Sequence, residues 1–314
     1  MSPDHPSLTG KVAIVTGSGR GLGLAYAVEL ARHGASIVVN DVDEDAASAA
    51  VEQIVQAGGN AVAVVAPVGP TATADALVAA ALEGFGRLDI LVTNAGVLRD
   101  TVLWKMTDDD FDTVIGVHLR GTFTCVRAAA THFRDNGVQG RIMCIGSPTG
   151  QRGNFGQTNY AAAKAGIVGM VRTWALELKR AGIAVNAVIP VAATAMTATV
   201  PYFAAAVEAD AAGEPMPEFF RHDLGFGTAD DVAGLVAYLA SDAADLTGQA
   251  IGIGGDRLQL WSHPEPVATG YHQGGWSYEA LADELPALLD GRLQTVGEKF
   301  PPLPEALVRP RPDA

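Results

Sequence analysis

The chain has 314 residues, 48% hydrophobic and 18% charged, with a formal net charge of −14 at pH 7. That much apolar material is ample for a buried core and excludes a disordered acidic chain; the length suits one large α/β domain or two small ones. The excess of acid argues against nucleic acid or an anionic membrane as partner and says little about a small-molecule substrate.

The opening M-S-P-D-H-P lacks the basic and apolar regions of a signal peptide, and no apolar run approaches a membrane span, so a cytoplasmic protein is expected. Residues 11–16, K-V-A-I-V-T, read as a buried strand. The stretch G-S-G-R-G-L-G, from Gly17 through Arg20, Gly21 and Leu22 to Gly23, follows at once, and 24–33 carries a helical apolar pattern. Strand, glycine turn and helix in that order make a phosphate cradle, because bare backbone lets a pyrophosphate approach the N–H groups of a helix N-terminus. An ordinary tight turn between strand and helix is the alternative.

A second strand, 35–41, ends in Asp41. A carboxylate there accepts the ribose hydroxyls of an adenosine and repels a 2′-phosphate, which favours NAD over NADP. Arg20, in the glycine loop, is the counter-indication, since a phosphate could be met there. A helix over 43–57, a stop at 58–60 and a third strand over 61–66 come next, and Pro67-Val68 leads into a helix over 73–85. The fourth strand runs through 88–96 into Asn94, Ala95 and Gly96, small residues that suit close passage of a cofactor. A long helix over 108–133 contains His118, which alone reads as a core residue, and no spacing of His, Cys and acids suggests a metal centre. Cys125 and Cys144, the only cysteines, sit in apolar stretches and read as buried thiols.

The fifth strand, 141–147, delivers Ser147, and the glycine-broken loop after it leads to an Ala-rich helix opened by Tyr160 and Lys164. Residues four apart share a helix face, so an ammonium can sit beside the phenol and favour its ionised form. A free phenol titrates near ~10, so a base working near ~7 needs about 4 kcal/mol of differential stabilisation of phenolate. One lysine supplies about 1 to 3 pKa units, and the positive ring of an oxidised nicotinamide would add to it. The helix should run to about residue 180, ahead of a sixth strand over 183–189 that closes on Pro190.

Residues 194–227 differ in character, mixing Ala-rich and acidic stretches with three prolines and with Phe203, Phe219 and Phe220; the segment reads as a substrate lid or as an irregular surface helix pair. A helix over 228–240 and a seventh strand over 249–254 follow. Beyond 258 the pattern weakens to Trp261, Trp276, a short helix over 278–289 and a Pro-rich tail near 301–312. Alternation of strand and helix predicts a parallel sheet covered on both faces.

These motifs in combination, T-G-S-G-R-G-L-G, N-A-G, Ser147 and Y-A-A-A-K, resemble the short-chain dehydrogenase/reductase family from residue 10 to about 254. Within it, N-A-G-V-L-R-D, V-H-L-R-G-T-F and G-N-F-G-Q-T-N-Y look like the (3R)-hydroxyacyl-CoA dehydrogenase and 17β-hydroxysteroid dehydrogenase-like subgroup. The resemblance implies an α/β, doubly wound Rossmann-like fold, with a parallel seven-stranded sheet, helices on both faces and a C-terminal extension. The catalytic domain would cover 1–257, with the lid at 194–227, and the extension, 258–314, would pack on the same or a neighbouring subunit of a homotetramer or homodimer. It further implies NAD-dependent interconversion of a secondary alcohol and a ketone on a hydroxyacyl-CoA or steroid-like substrate. Tyr160 would exchange the hydroxyl proton, Ser147 would position the oxygen, and Lys164 would hold the nicotinamide ribose and lower the tyrosine pKa. Asn94, Ala95, Gly96 and Pro190 would line the cofactor, with Thr194 near its carboxamide. Val68 would meet the adenine, because Pro67 stands where the family usually has Asp. His118 stands where the family commonly has an Asn that joins a water relay, and Pro190-Val191 replaces the usual Pro-Gly. The alternatives are a reductase of carrier-protein-bound or polyketide ketones and a non-catalytic dinucleotide-binding protein.

Overall fold

Short β-branched runs alternate with helical stretches along the chain, and the central runs become strands buried on both faces, as parallel strands under two helix layers require, while the strand over 60–65 is largely exposed. In the computed structural model, which describes residues 7–194 and 197–308, the strands are β1 (Val12–Thr16), β2 (Ser36–Asp41), β3 (Asn60–Val65), β4 (Ile90–Thr93), β5 (Arg141–Ile145), β6 (Ala184–Pro190), β7 (Ala250–Gly254) and β8 (Arg257–Trp261). The opening hexapeptide, Ala195 and Met196 of the expected lid, and positions 309–312 of the expected tail lie outside the described residues.

The sheet order is β3-β2-β1-β4-β5-β6-β7-β8. The seven expected strands are all parallel to their neighbours, and the order reverses between β1 and β4, so the crevice outside their carboxyl ends is the natural ligand site of such a sheet. β8 corrects the expected count: it pairs antiparallel with β7, from Ala250 opposite Trp261 to Gly254 opposite Arg257, and extends the sheet through the point where the extension was expected to begin. Its residues R-L-Q-L-W alternate, but Leu258 and Leu260 are exposed on the sheet edge, so no buried face announces the strand.

Helices α1 (Gly21–Arg32) and α2 (Glu44–Gln56) cover one face together with a later helix over Ala229–Ala240, around Tyr26, Leu30, Ile54 and Val236. Helix α3 (Thr71–Phe85) covers the other face with two longer helices, around Leu77, Phe133, Ile167 and Val171. The expected single helix over 108–133 is in fact α4 (Asp108–Val114), a wide π turn (Ile115–Arg120) and α5 (Gly121–Asn136). Such a turn inserts an extra residue into the helical ladder and re-aims side chains; His118 lies within it and reaches the backbone of Val97.

The glycine-broken loop after β5 contains a short helix, α6 (Pro148–Arg152), capped by the Ser147 side chain, which accepts from Thr149 N at 3.2 Å. A Cβ on Gly150 would stand 2.6 Å from the Lys164 backbone, so this glycine lets α6 lie flat on α7 (Thr158–Glu177). The expected lid segment, 194–227, holds α8 (Ala204–Ala212) and a π turn (Phe219–Asp223), and leads to α9 (Ala229–Ala240). Helix α10 (Tyr278–Leu289) has no buried residue. Among the described residues no helix is long and apolar enough to cross a membrane. Both cysteines are buried, and burial pushes each thiol up to about 12.

Candidate active site

Every residue singled out as cofactor-binding except Gly23 lines one cleft of about 660 Å³ at the carboxyl ends of the parallel strands, within the range for small-molecule sites. At its inner end β1 turns into α1. A Cβ on Gly17 would stand 2.6 Å from the Ala95 Cα, so the turn abuts the end of β4 with no room for a side chain. Gly21, at φ 56°, opens α1 where an added Cβ would meet nothing within 4 Å. No side chain caps this helix N-terminus, so its first N–H groups are left for a ligand, and Gly21, Leu22 and Arg20 line the cleft beside them. Such a donor set fits a pyrophosphate. Gly23 is buried against the Gly17 carbonyl and does not line the cleft.

Asn94 staples the turn, its Nδ2 donating to Thr16 O at 3.1 Å and Gly17 O at 2.9 Å. Thr16, which opens the T-G-S-G-R-G-L-G motif but was given no role, accepts from the N–H groups of Asn94 and Ala95 through its hydroxyl at 3.0 and 3.1 Å. It is the last residue before the glycines, the signal that could have found it. Asp41 ends β2 with its carboxylate over the turn, accepting from Gly19 N at 3.1 Å and Val42 N at 2.8 Å. Arg20 is ion-paired to Asp43. The cation that left a 2′-phosphate open is therefore already engaged. Val68, expected at the adenine, lines the cleft together with Pro67.

At the other end Ser147, Tyr160 and Lys164 converge. Lys164 is buried, and its Nζ donates to Ile145 O at 2.7 Å and stands 5.6 Å from the centre of the Tyr160 ring. With no carboxylate near, desolvation pulls its pKa down to about 7. Tyr160 departs from expectation: its pKa lies above the ordinary value, because desolvation outweighs the hydrogen bond to Ser147 and Asp100 adds negative charge nearby. Lys164 alone thus does not make a phenolate in the cofactor-free protein. His118 meets Tyr160 edge to face at 5.2 Å, and burial followed by the Lys164 charge lowers it to about 3, so its imidazole is neutral.

Asn159, immediately before the tyrosine, was also missed. It is fully buried, donates to Arg99 O and Asp110 O at 3.1 Å each, and accepts from Tyr160 N at 2.8 Å, which sets the entry angle of α7. Gln157 links Asp100 at 2.7 Å to Thr149 at 3.1 Å, closing the loop over Ser147. Pro190 ends β6 on the cleft wall, and Thr194 follows, its N–H bonded to Thr197 at 2.8 Å.

Of the expected lid aromatics only Phe203 lines the cleft, joined by Phe226 and by Phe300 from the C-terminal segment. Phe220 is fully buried in a small core with Phe203, Phe226 and Met216, and Phe219 packs on that core. Burial of these rings holds the lid itself together. Its far end is pinned by Arg221, bidentate to Asp231 at 2.8 and 3.0 Å and paired to Asp256 at 2.9 Å. No signal in the sequence brings Phe300 back to this cleft. Among the described residues no group of three or more His, Cys, Asp or Glu could hold a metal ion.

The family profile for short chain dehydrogenase matches residues 11–202. A hydroxyacyl-CoA dehydrogenase, ChsB1, of Mycobacterium tuberculosis is 44% identical over 270 residues, 82% of this chain and 81% of that protein. A 3-oxoacyl-[acyl-carrier-protein] reductase of Synechocystis is 40% identical over 258 residues, 81% of this chain and 99% of that one. The crystal structure of a short chain dehydrogenase from Mycobacterium avium superposes with a TM-score of 0.78 at 34% identity, covering 92% of this chain and 98% of that one. With an uncapped helix N-terminus at one end of the cleft and a serine, tyrosine and lysine at the other, the chain belongs to the short-chain dehydrogenase family and is an NAD(P)-dependent oxidoreductase.

Proposed function

We propose that this protein interconverts the secondary alcohol and ketone of a hydroxyacyl-CoA carrying a bulky apolar, steroid-like or long acyl group, with NAD as cofactor. The observation that carries the reading is the convergence of the Tyr160 phenol, Ser147 and the buried Lys164 ammonium on the wall of an apolar cleft. The likeness to ChsB1 supports the substrate class. Asp41, directed at the glycine turn, and the Arg20–Asp43 pair support NAD over NADP.

When bound, the oxidised nicotinamide supplies the two-electron acceptor and a positive charge beside the phenol. Ser147 donates a hydrogen bond from its hydroxyl to the substrate oxygen and orients it, keeping its own proton. Tyr160 takes the alcohol proton in the oxidative direction and returns it in the reductive one. Lys164, neutral or charged near pH 7, biases the phenol toward ionisation and would hold a ribose hydroxyl of the bound cofactor. His118 stays neutral and holds the Val97 backbone against Gly96. The lid excludes water from this step, and a cytoplasmic homodimer or homotetramer is the assembly we propose around it.

A turnover screen of 3-hydroxyacyl-CoAs and hydroxysteroids with NAD+, followed by absorbance of the reduced cofactor, tests the reading. We expect turnover with hydroxyacyl-CoA; activity confined to substrates lacking the thioester would overturn it. A second reading, reduction of carrier-protein-bound 3-oxoacyl groups, is supported by the Synechocystis relative, which this chain covers almost end to end. NADPH consumption with acyl-carrier-protein ketones and none with CoA thioesters would select it.

A further inference from the structure

The catalytic cleft does not stop at the lid. A second cavity of about 300 Å³ adjoins it, sharing Leu224, Arg257, Glu298 and Phe300 with its wall. The chain builds this outer chamber by bringing its C-terminal segment back across the site. Gly297 N donates to Arg152 O at 2.7 Å and Arg152 Nε to Gly297 O at 3.2 Å, a reciprocal clasp between the segment and the end of α6. Tyr202 donates to Pro301 O at 2.7 Å, and Phe300 stacks on Tyr202 at 5.0 Å while meeting Phe203 edge-on at 5.3 Å. Lys299 is thereby held between two anchored neighbours, and it lines the chamber with Arg152 and Arg257.

Three cations converging on one chamber are unusual in a chain with 35 acidic and 21 basic residues. Their partners make the point stronger. Arg257 donates to the carbonyls of His222 and Asp223, and Arg152 to that of Gly297. Carbonyls fix a guanidinium without neutralising it. Among the described residues no ion pair joins Arg152, Arg257 or Lys299 to a carboxylate, whereas Arg20, Arg87 and Arg221 are each so paired. The chamber also holds Asp223 and Glu298, so its three cations face two carboxylates. The balance is positive, and guanidinium with ammonium is the donor set that phosphate takes.

We propose that this outer chamber is the subsite for the phosphate of a pantetheine-type carrier bearing the substrate acyl group, with Arg152 and Lys299 as its charged contacts. The proposal rests on the acyl-thioester reading of the catalytic site. Ser147 caps α6 and Arg152 ends it, so one short helix carries a catalytic residue at its start and a cation of the outer chamber at its end. A thioester arm leaving the catalytic residues passes under Phe300 and presents its phosphate to the cations beyond. Free CoA and a phosphopantetheinylated carrier protein share that phosphate.

Calorimetric titration into protein saturated with NADH, which keeps adenine out of the cofactor groove, tests the site without turnover. The probes are CoA, 4′-phosphopantetheine and pantetheine; the variants are Lys299→Gln, whose exposed side chain leaves the fold intact, and Arg152→Gln with Lys299→Gln. CoA should bind the wild type at least about 10-fold more tightly than pantetheine, an advantage the double variant loses while pantetheine binding is unchanged. Equal affinities for CoA and pantetheine, or CoA binding that survives both substitutions, would overturn the proposal. CoA binding more tightly than phosphopantetheine identifies free CoA as the carrier; equal binding identifies the phosphate common to carrier proteins. Turnover of the same hydroxyacyl group on CoA and on phosphate-free N-acetylcysteamine separates the two readings. Lost phosphate dependence with both thioesters turned over sinks the chamber alone, and phosphate-dependent CoA binding with neither turned over sinks the catalytic reading alone.

Discussion

Lys164 illustrates how much one buried charge commits a fold to its function. Its pKa falls from 10.5 to about 7 through desolvation. A lysine whose folded pKa is depressed binds fewer protons folded than unfolded between those values, so stability rises with pH across that window and the full cost is present below about 7. At pH 7 the cost is roughly 4 kcal/mol by this reasoning. Lys164→Met should therefore stabilise the cofactor-free protein at pH 6 to 7, abolish most turnover, and lose its stability advantage as pH climbs to 10; an unchanged melting temperature at pH 6.5 would show that the ammonium is well solvated. Tyr160→Phe keeps the ring packing against His118 but removes the proton carrier, so turnover should fall at least ~100-fold with NAD affinity unchanged in a fluorescence titration. Asp41→Ala removes one charge at a partly wet site and should narrow the NAD-to-NADP preference by about 1 to 2 kcal/mol, read as the ratio of kcat/KM for the two cofactors. A wild type that already prefers NADP would contradict this account of Asp41.

At the scale of elements the lid divides into a wall and a core. Phe203 does both, facing the cleft while stacking on Phe226 with ring centres 4.4 Å apart. Phe220 is buried beneath it and does not line the cleft. Phe203→Leu should raise KM for bulky acyl substrates several-fold more than for short ones while cofactor affinity stays fixed. Phe220→Leu should instead loosen the lid, seen as faster limited proteolysis, with the ratio of KM values across substrate sizes retained. The same pattern in both variants would mean that the lid responds as one body. The motif elements were legible because each carries its own local signal: glycines at the β1–α1 turn, a carboxylate at the end of β2, hydroxyl, phenol and amine at a strand end and one helical turn apart. The π turn at Ile115–Arg120 was not, since its residues continue an ordinary helical pattern and only the approach of His118 to Val97 distinguishes it.

For the whole molecule the unresolved balance of apolar surface lies in the C-terminal extension. Leu258 and Leu260 stand 66% and 70% exposed on the sheet edge, and α10 presents Tyr278, Leu281 and Leu285 with no buried residue. A 12-residue helix is marginal alone in water, so its stability must come from packing. We expect that packing from a second copy of the chain. Leu281→Glu with Leu285→Glu should lower the assembly mass measured by light scattering and leave turnover of the remaining species measurable; an unchanged mass would return α10 to a purely intramolecular role. The end of the same extension behaves differently, since Tyr202, Phe203 and Arg152 of its own chain already hold 297–301.

The sequence by itself determined the alternating parallel sheet, the cofactor groove and the serine, tyrosine and lysine, because these depend on neighbours within one turn or one strand and on backbone that only glycine permits at Gly17 and Gly21. Tertiary structure alone decided that the sheet gains β8, that Phe219 and Phe220 belong to the lid core, that burial raises Tyr160 and lowers Lys164, and that Phe300 and Lys299 return to the cleft. Each of these is a matter of desolvation or of contact between segments distant along the chain, and neither quantity exists until the chain has closed on itself.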